Sequence, residues 1–409
     1  MKTNPIALSA FAATLACAPL AAFEKIALID SFDFGTHFDT ETVAGTEQIL
    51  DHVLLTGADM VLWRNCGGAT MRYQSQEEPP LLMEAPLDPR RVPESRPVHG
   101  WLRYWAVEPD IVRTAFASCK RRGVARGIHW PYEENHWSHW TLGAWNLSHP
   151  QFWCRNSRGI PWHGRCSFAF PEVVAHKLRL LDELLDREPQ TIFFDLFRSG
   201  GWTVADEYVK PHRDKWRQRY GEPPPADFHD PRWIALVGET QEAFFRAVRA
   251  RIAARGAKVR VLLGIDRVSL GEDENWTKRA VDWKKLLRED VIDGVVVECV
   301  VPDPKRPYES TAEIYASVRD AAGGKPFFCP AMSYNFGGRP GYPWYAQVTG
   351  DKPEVAVRKL MEIARDAGAA GVTMECVDYR NYSPAVCEVI RGFGASAPQP
   401  STPQSGPTQ

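Results

Sequence analysis

Thr191-Ile-Phe-Phe-Asp195 reads as a short buried strand that ends on a carboxylate, and the chain repeats the phrase in Val295-Val-Val-Glu298 and Val372-Thr-Met-Glu375. A charge at the end of a buried strand is costly unless it lines a cleft, and three such ends suggest one shared cleft. If the three runs are alternate strands of one parallel barrel, their acids meet at its mouth.

Eight apolar runs surround and include these three: 25–34, 59–65, 124–131, 191–197, 258–266, 294–301, 326–333 and 371–377. Between them, segments such as 171–187, 233–255, 311–322 and 353–367 place apolar residues at helical spacing. Gly57, Gly123, Gly256 and Gly368 follow helical patterns shortly before the next strand, as C-terminal caps do. Alternation of this kind, with strands apolar on both faces, predicts a single (β/α)8 TIM barrel. An open doubly wound sheet would carry a Gly-rich phosphate turn after its first strand, and Asp30-Ser-Phe-Asp-Phe-Gly-Thr-His37 is not one. Long insertions at 72–107, 133–170 and 199–230 follow strands 2, 3 and 4, so they belong to the βα side on which barrel sites are built.

The residues before and after this pattern read differently. Lys2, an apolar stretch from 6 to 17 and the small residues Ala18-Pro-Leu-Ala-Ala22 have the order of a signal peptide, too short for a membrane span. The expected division is therefore a leader at 1–22, a barrel at 23–394 and a disordered Pro/Ser/Gln-rich tail at 395–409, with export to the periplasm or medium and lipoprotein anchoring disfavoured. Eight cysteines follow the leader, and Cys154 with Cys166, bracketing one loop, is the favoured disulfide. A net charge of −2 argues against nucleic acid as a partner, and no segment after the leader could span a membrane. Oligomeric state is not legible.

In a barrel, each layer of inward side chains is drawn from alternate strands. Asp195, Glu298 and Glu375 fall on the fourth, sixth and eighth strands, so they share a layer, with Arg64 or Asn65 of the second strand as its fourth member. Carboxylates around one pocket are what glycosidic cleavage needs: one stays protonated to release the departing oxygen, and another stays ionised to attack or to activate water. The bland alternative is an ion-paired core in which Arg64 or Arg198 neutralises the acids.

The chain has 15 Trp, several of them between Trp130 and Trp162. Flat aromatic faces with a polar edge suit ring-shaped polar ligands, although core packing must account for at least half of them. The third-strand loop His129-Trp-Pro-Tyr-Glu-Glu-Asn-His-Trp-Ser-His-Trp140 is read first as a sugar platform. A self-packed surface loop ranks next, and a metal site on His136 and His139 last. The expected substrate contacts are Asp33, Arg64, His129, Trp130, Glu133, His136, Trp137, Arg198, Trp202, Asp266, Tyr334 and Asn335. Of His129 and Trp130, one should point into the pocket, and His129 is preferred. No cofactor and no metal are expected.

Trp145-Asn-Leu-Ser-His-Pro150, Asn156-Ser-Arg-Gly159, Pro171-Glu-Val-Val174 and Phe193-Phe-Asp-Leu-Phe197 together resemble bacterial glycosyl-hydrolase-like barrel families. The resemblance implies a secreted glycoside hydrolase acting on a carbohydrate, with Asp195 at the strand-four catalytic carboxylate and Glu298 as acid/base. The chain departs from those families in reading Thr191-Ile-Phe-Phe, rather than Asp-Gly, ahead of that Asp. A noncatalytic carbohydrate-binding barrel and a metal-dependent sugar isomerase or hydrolase are the alternatives. The His-x-His of an amidohydrolase first strand is missing, since the chain has Ser31-Phe-Asp33 there.

Overall fold

The computed structural model describes residues 23–29, 42–67, 70–71, 73–78, 110–132, 144–196, 202–266, 268–269, 272–332, 344–375 and 382–394. Eight strands form the core: β1 (Glu24–Ile29), β2 (Met60–Arg64), β3 (Ala125–Trp130), β4 (Thr191–Phe194), β5 (Arg260–Ile265), β6 (Gly294–Val297), β7 (Phe327–Pro330) and β8 (Gly371–Glu375). Each pairs in parallel with its sequence neighbours, and β1 pairs with β8, which closes the barrel. The helices that follow them in turn are α1 (Val43–Leu54), α2 (Ile111–Arg121), α3 (Pro171–Leu185), α4 (Pro231–Ala254), α5 (Trp283–Arg288), α6 (Pro307–Ala322), α7 (Pro353–Asp366) and α8 (Pro384–Gly392). This is the single (β/α)8 barrel that the alternation of apolar runs and helical patterns predicts.

Local chemistry sets the helix ends. Five of the eight helices open on proline, whose fixed φ suits the first turn and whose missing N–H is not needed there. All four glycines expected at helix ends take left-handed φ values between 62° and 83°, a region that strains a residue carrying a Cβ.

Two apolar layers result from strand alternation. Ile26, Leu28, Met60, Leu62, Phe193, Leu262, Val296 and Phe328 point inward and fill the barrel. Their neighbours, such as Val61, Ile192, Phe194, Leu263 and Val297, point outward into the larger core beneath the helices. Burying each such side chain contributes about 1.5–3 kcal/mol. Bulk alternates with its absence inside the barrel: a Cβ on inward Gly127 would lie 2.4 Å from the Thr191 carbonyl oxygen.

The N-terminal end of the barrel is closed by charge. Arg260, two residues below Leu262 on β5, donates to both carboxylate oxygens of Glu24 on β1 at 2.8 and 2.9 Å. Its Nε donates to Thr191 Oγ1 at 3.2 Å, and its guanidinium lies 5.4 Å from the Phe328 ring centroid. This two-point fork crosses the barrel from one strand to another that is four places away in the sheet.

The insertions on the opposite side carry structure of their own. After β3 come a short helix (Ala144–Ser148) and an antiparallel hairpin (Trp153–Arg155 with Pro161–Cys166), and after β4 a helix (Lys210–Tyr220). In that hairpin Trp153, not Cys154, pairs with Cys166, and the register is irregular at Cys154. Cys154 donates to Glu207 Oε1 and Cys166 to Asn146 Oδ1, and both thiols are free. The disulfide expected between them is not formed: each thiol turns to a partner of its own. Among the described residues, no helix is long and apolar enough to cross a membrane.

Candidate active site

Asp195 follows the last residue of β4, Glu298 the last residue of β6, and Glu375 ends β8. Counting alternately from inward Phe193, Val296 and Thr373 turns all three toward the barrel axis at its C-terminal end. Their proximity is felt at Glu298. Its carboxyl is raised well above the ordinary glutamate value, first by burial, then by the charge of Asp195 and a hydrogen bond to it, and further by the charges of Asp266 and Glu375. The three strand-end acids thus act on one another in one place.

Asp195 receives a second hydrogen bond. His129, inward on β3, places Nε2 2.6 Å from Asp195 Oδ2, with both side chains buried. A hydrogen bond to a charged group contributes about 1.5–3 kcal/mol, enough to hold both side chains in place. Asp195 therefore has two hydrogen-bonding neighbours, the His129 ring and the Glu298 carboxyl. Of the two carboxyls in contact, Glu298 is the one pushed upward by burial and by its neighbour's charge, which suits it to carry a proton beside Asp195.

Around this pair, the β5 end supplies a clamp. Asn275 accepts from the Asp266 N–H at 2.8 Å and donates to the Asp266 carbonyl at 3.0 Å, fixing the backbone. The Asp266 carboxylate meets Arg279 Nη2 at 3.3 Å, and Arg279 also donates to the Trp202 carbonyl. Asp266 is thereby held as an ion pair at the rim. Arg64, inward at the end of β2, is fully buried beside His129 in the strand register.

Two expected ligand contacts are corrected. Trp130 is the neighbour of His129 on β3 and so faces away from the mouth, packed on Phe194 with ring centroids 5.3 Å apart. Trp202, expected as a substrate contact, is fully buried, with the Arg165 guanidinium 3.4 Å from its ring centroid in cation–π packing. Trp145 is likewise stacked between His149 and His176, at 4.3 and 4.1 Å. Asp33, Glu133, His136, Trp137, Arg198, Tyr334 and Asn335 lie outside the described residues.

The residues that sequence reading missed are those that act on the acids from the side. Gly264, inward on β5, leaves room for the Glu298 carboxyl, and the Leu196 N–H donates to Glu298 Oε2 at 3.2 Å. A glycine inside the apolar strand Val261-Leu-Leu-Gly-Ile265 is a signal of close approach by another group. Arg279 and Asn275 carry no such signal, because they stand in a loop with nothing in their spacing to tie them to β5.

No family model matches this chain, and no curated protein matches it in sequence. Its fold is similar to a β-galactosidase from the psychrophilic Marinomonas ef1, with a TM-score of 0.53 and 10% identity over 86% of this chain and 53% of that one. It is also matched to an α-amylase from Lactobacillus plantarum (TM-score 0.49, 10% identity, 90% and 78% covered). A third match is an α-galactosidase from Thermus thermophilus (TM-score 0.46, 10% identity, 92% and 62% covered). This chain spans about half the length of the β-galactosidase. At such identity the likeness is one of fold: the chain folds as a parallel eight-stranded barrel of the kind found in glycoside hydrolases.

Proposed function

We propose that this protein is an exported glycoside hydrolase that cleaves poly- or oligosaccharides by a carboxylate pair, Asp195 and Glu298, at the barrel mouth. The observation that carries the reading is the contact between two buried carboxyls, of which Glu298 is pushed well above the ordinary glutamate value by burial and by the charge of Asp195. Carboxyls joined by a hydrogen bond leave no room between them for the water that an inverting pair needs, which supports the retaining arrangement. Retention of configuration follows in this reading.

In the first step Glu298 gives its proton to the glycosidic oxygen while Asp195 attacks the anomeric carbon, so that the bond to the leaving sugar breaks as the ester to Asp195 forms. In the second, Glu298, now a carboxylate, takes a proton from water as the water oxygen attacks the same carbon and releases Asp195. His129 supports both steps by holding Asp195 through Oδ2. Glu375 positions substrate or tunes the pair, and Arg64, His129 and Tyr334 bind hydroxyls or a sugar acid. The charge, apolar and small-residue order of residues 1–22 supports export.

The test is an activity screen of the purified protein on plant and algal polysaccharides and on aryl glycosides, repeated with Asp195→Asn and Glu298→Gln. Cleavage lost in both variants and unaffected by chelators is the expected result. Full hydrolysis by both variants of every glycan that the wild type cleaves refutes the assignment.

A further inference from the structure

Glu298 stands at the end of β6, yet its carboxyl lies over β5. A Cβ on Gly264 would sit 2.1 Å from Glu298 Oε2, 2.4 Å from its Cδ and 3.0 Å from Oε1, and these three atoms are its nearest neighbours. A Cβ does not approach other atoms this closely, so any side chain at 264 competes for space with the acid itself. The register explains the crossing: Gly264 pairs with Val296 on β6, and Leu263 pairs with Phe194 on β4. Continuing that register by one residue brings Gly264 beside Asp195. With no side chain in that row, Glu298 can lie across β5 and reach the end of β4.

There its carboxyl meets two partners. The Leu196 N–H donates to Oε2 at 3.2 Å, and a second hydrogen bond joins the carboxyl to Asp195. A peptide N–H can only donate, and the oxygen of a carboxylic acid that accepts well is its carbonyl oxygen. Oε2 is therefore the carbonyl oxygen, and the proton is left to Oε1.

We propose that Gly264 and the Leu196 peptide form a seat that lays the Glu298 carboxyl across β5 and assigns its proton to Oε1, making Gly264 a positioning residue for proton donation. The seat is a property of the fold; its consequence for catalysis rests on the glycosidase reading.

Infrared spectroscopy of the protonated carboxyl band tests the seat without reference to activity. The wild type at neutral pH should show a band that disappears in Glu298→Gln. In Gly264→Ala that band should shift, and it should titrate at lower pH as the acid is displaced from its burial. A band with unchanged frequency and titration in Gly264→Ala overturns the proposal. If Gly264→Ala does not fold, Gly264→Ala combined with Glu298→Ala should fold, since the obstructing carboxyl is gone; a double variant that also fails overturns the proposal. In catalysis, Gly264→Ala should slow glycosides with poor leaving groups by roughly 10²-fold, the lower range of general-acid effects, and activated dinitrophenyl glycosides far less. Equal slowing of both overturns the positioning role. A wild type that hydrolyses no glycoside refutes the functional reading, while the infrared comparison still decides the seat.

Discussion

Glu207 and Glu298 are both glutamates enclosed by the fold on the same side of the barrel, and they respond to burial in opposite ways. Burial pushes each upward, but Glu207 ends below its ordinary value. His212 hydrogen-bonds and pairs with it, Arg165 adds charge, and Ser167 donates to it. Glu298 ends far above because the charges around it are carboxylates. Desolvation is shared, so the sign is set by the company each acid keeps. One network is an ionised anchor that ties the hairpin at Trp153–Cys166 to the helix Lys210–Tyr220; the other stores a proton beside an acceptor.

The largest effect that could break this contrast is at the acceptor. Asp195→Asn removes the attacking oxygen and should abolish turnover, by roughly 10⁴-fold or more in kcat on any glycoside the wild type cleaves. Glu298→Gln should cost about 10²–10⁴-fold on poor leaving groups and recover with activated ones, which a leaving-group series measures. The same substitution should act on stability with the opposite sign. A raised folded pKa means that the acid favours folding below about pH 4.5 and that this contribution is lost as pH rises through the folded value. Glu298→Gln should then unfold at higher denaturant than the wild type in alkaline buffer.

At the anchor, Glu207→Ala removes a buried carboxylate that Arg165, His212 and Ser167 all meet and should cost about 3–5 kcal/mol in chemical denaturation at neutral pH. Because the Glu207 pKa is depressed, its contribution is present above about pH 4.5 and lost as pH falls through the folded value, so the cost should shrink in acid. The pH dependence of turnover should not move.

The smallest effect concerns a third acid, Glu78, which accepts from the Trp145 N–H at 3.1 Å and lies 3.2 Å from His176 Nε2. Burial pushes its carboxyl up to about 7, and the same burial drives His176 down to about 3, so between those pH values the two meet as neutral groups. Glu78→Gln should leave stability nearly unchanged below pH 4.5 and raise it by up to about 3 kcal/mol above pH 7, as read by denaturation across pH.

What was legible in the sequence follows from periodicity. Strand side chains alternate with a period of two, so an acid at the end of an apolar run can be assigned a face by counting, and Asp195, Glu298 and Glu375 were placed that way. The same count chooses His129 over Trp130. Where the chain leaves regular structure, counting stops. The Trp residues were numerous enough to suggest ligand platforms, but abundance does not say which face is free; Arg165 on Trp202 and the imidazoles on Trp145 are contacts between distant segments. Cys154 and Cys166 were close in sequence, and only the fold gives their thiols different partners, Glu207 and Asn146. Gly264 was visible as a letter inside a strand, but its meaning depends on a side chain from the next strand crossing it.

The fork between Arg260 and Glu24 bears on traffic through the molecule. Two charged hydrogen bonds, a threonine hydroxyl and an aromatic face occupy the far end of the barrel axis. A molecule that enters at the mouth has no exit behind the acids. Under the glycosidase reading, substrate and products therefore share the one opening at the mouth.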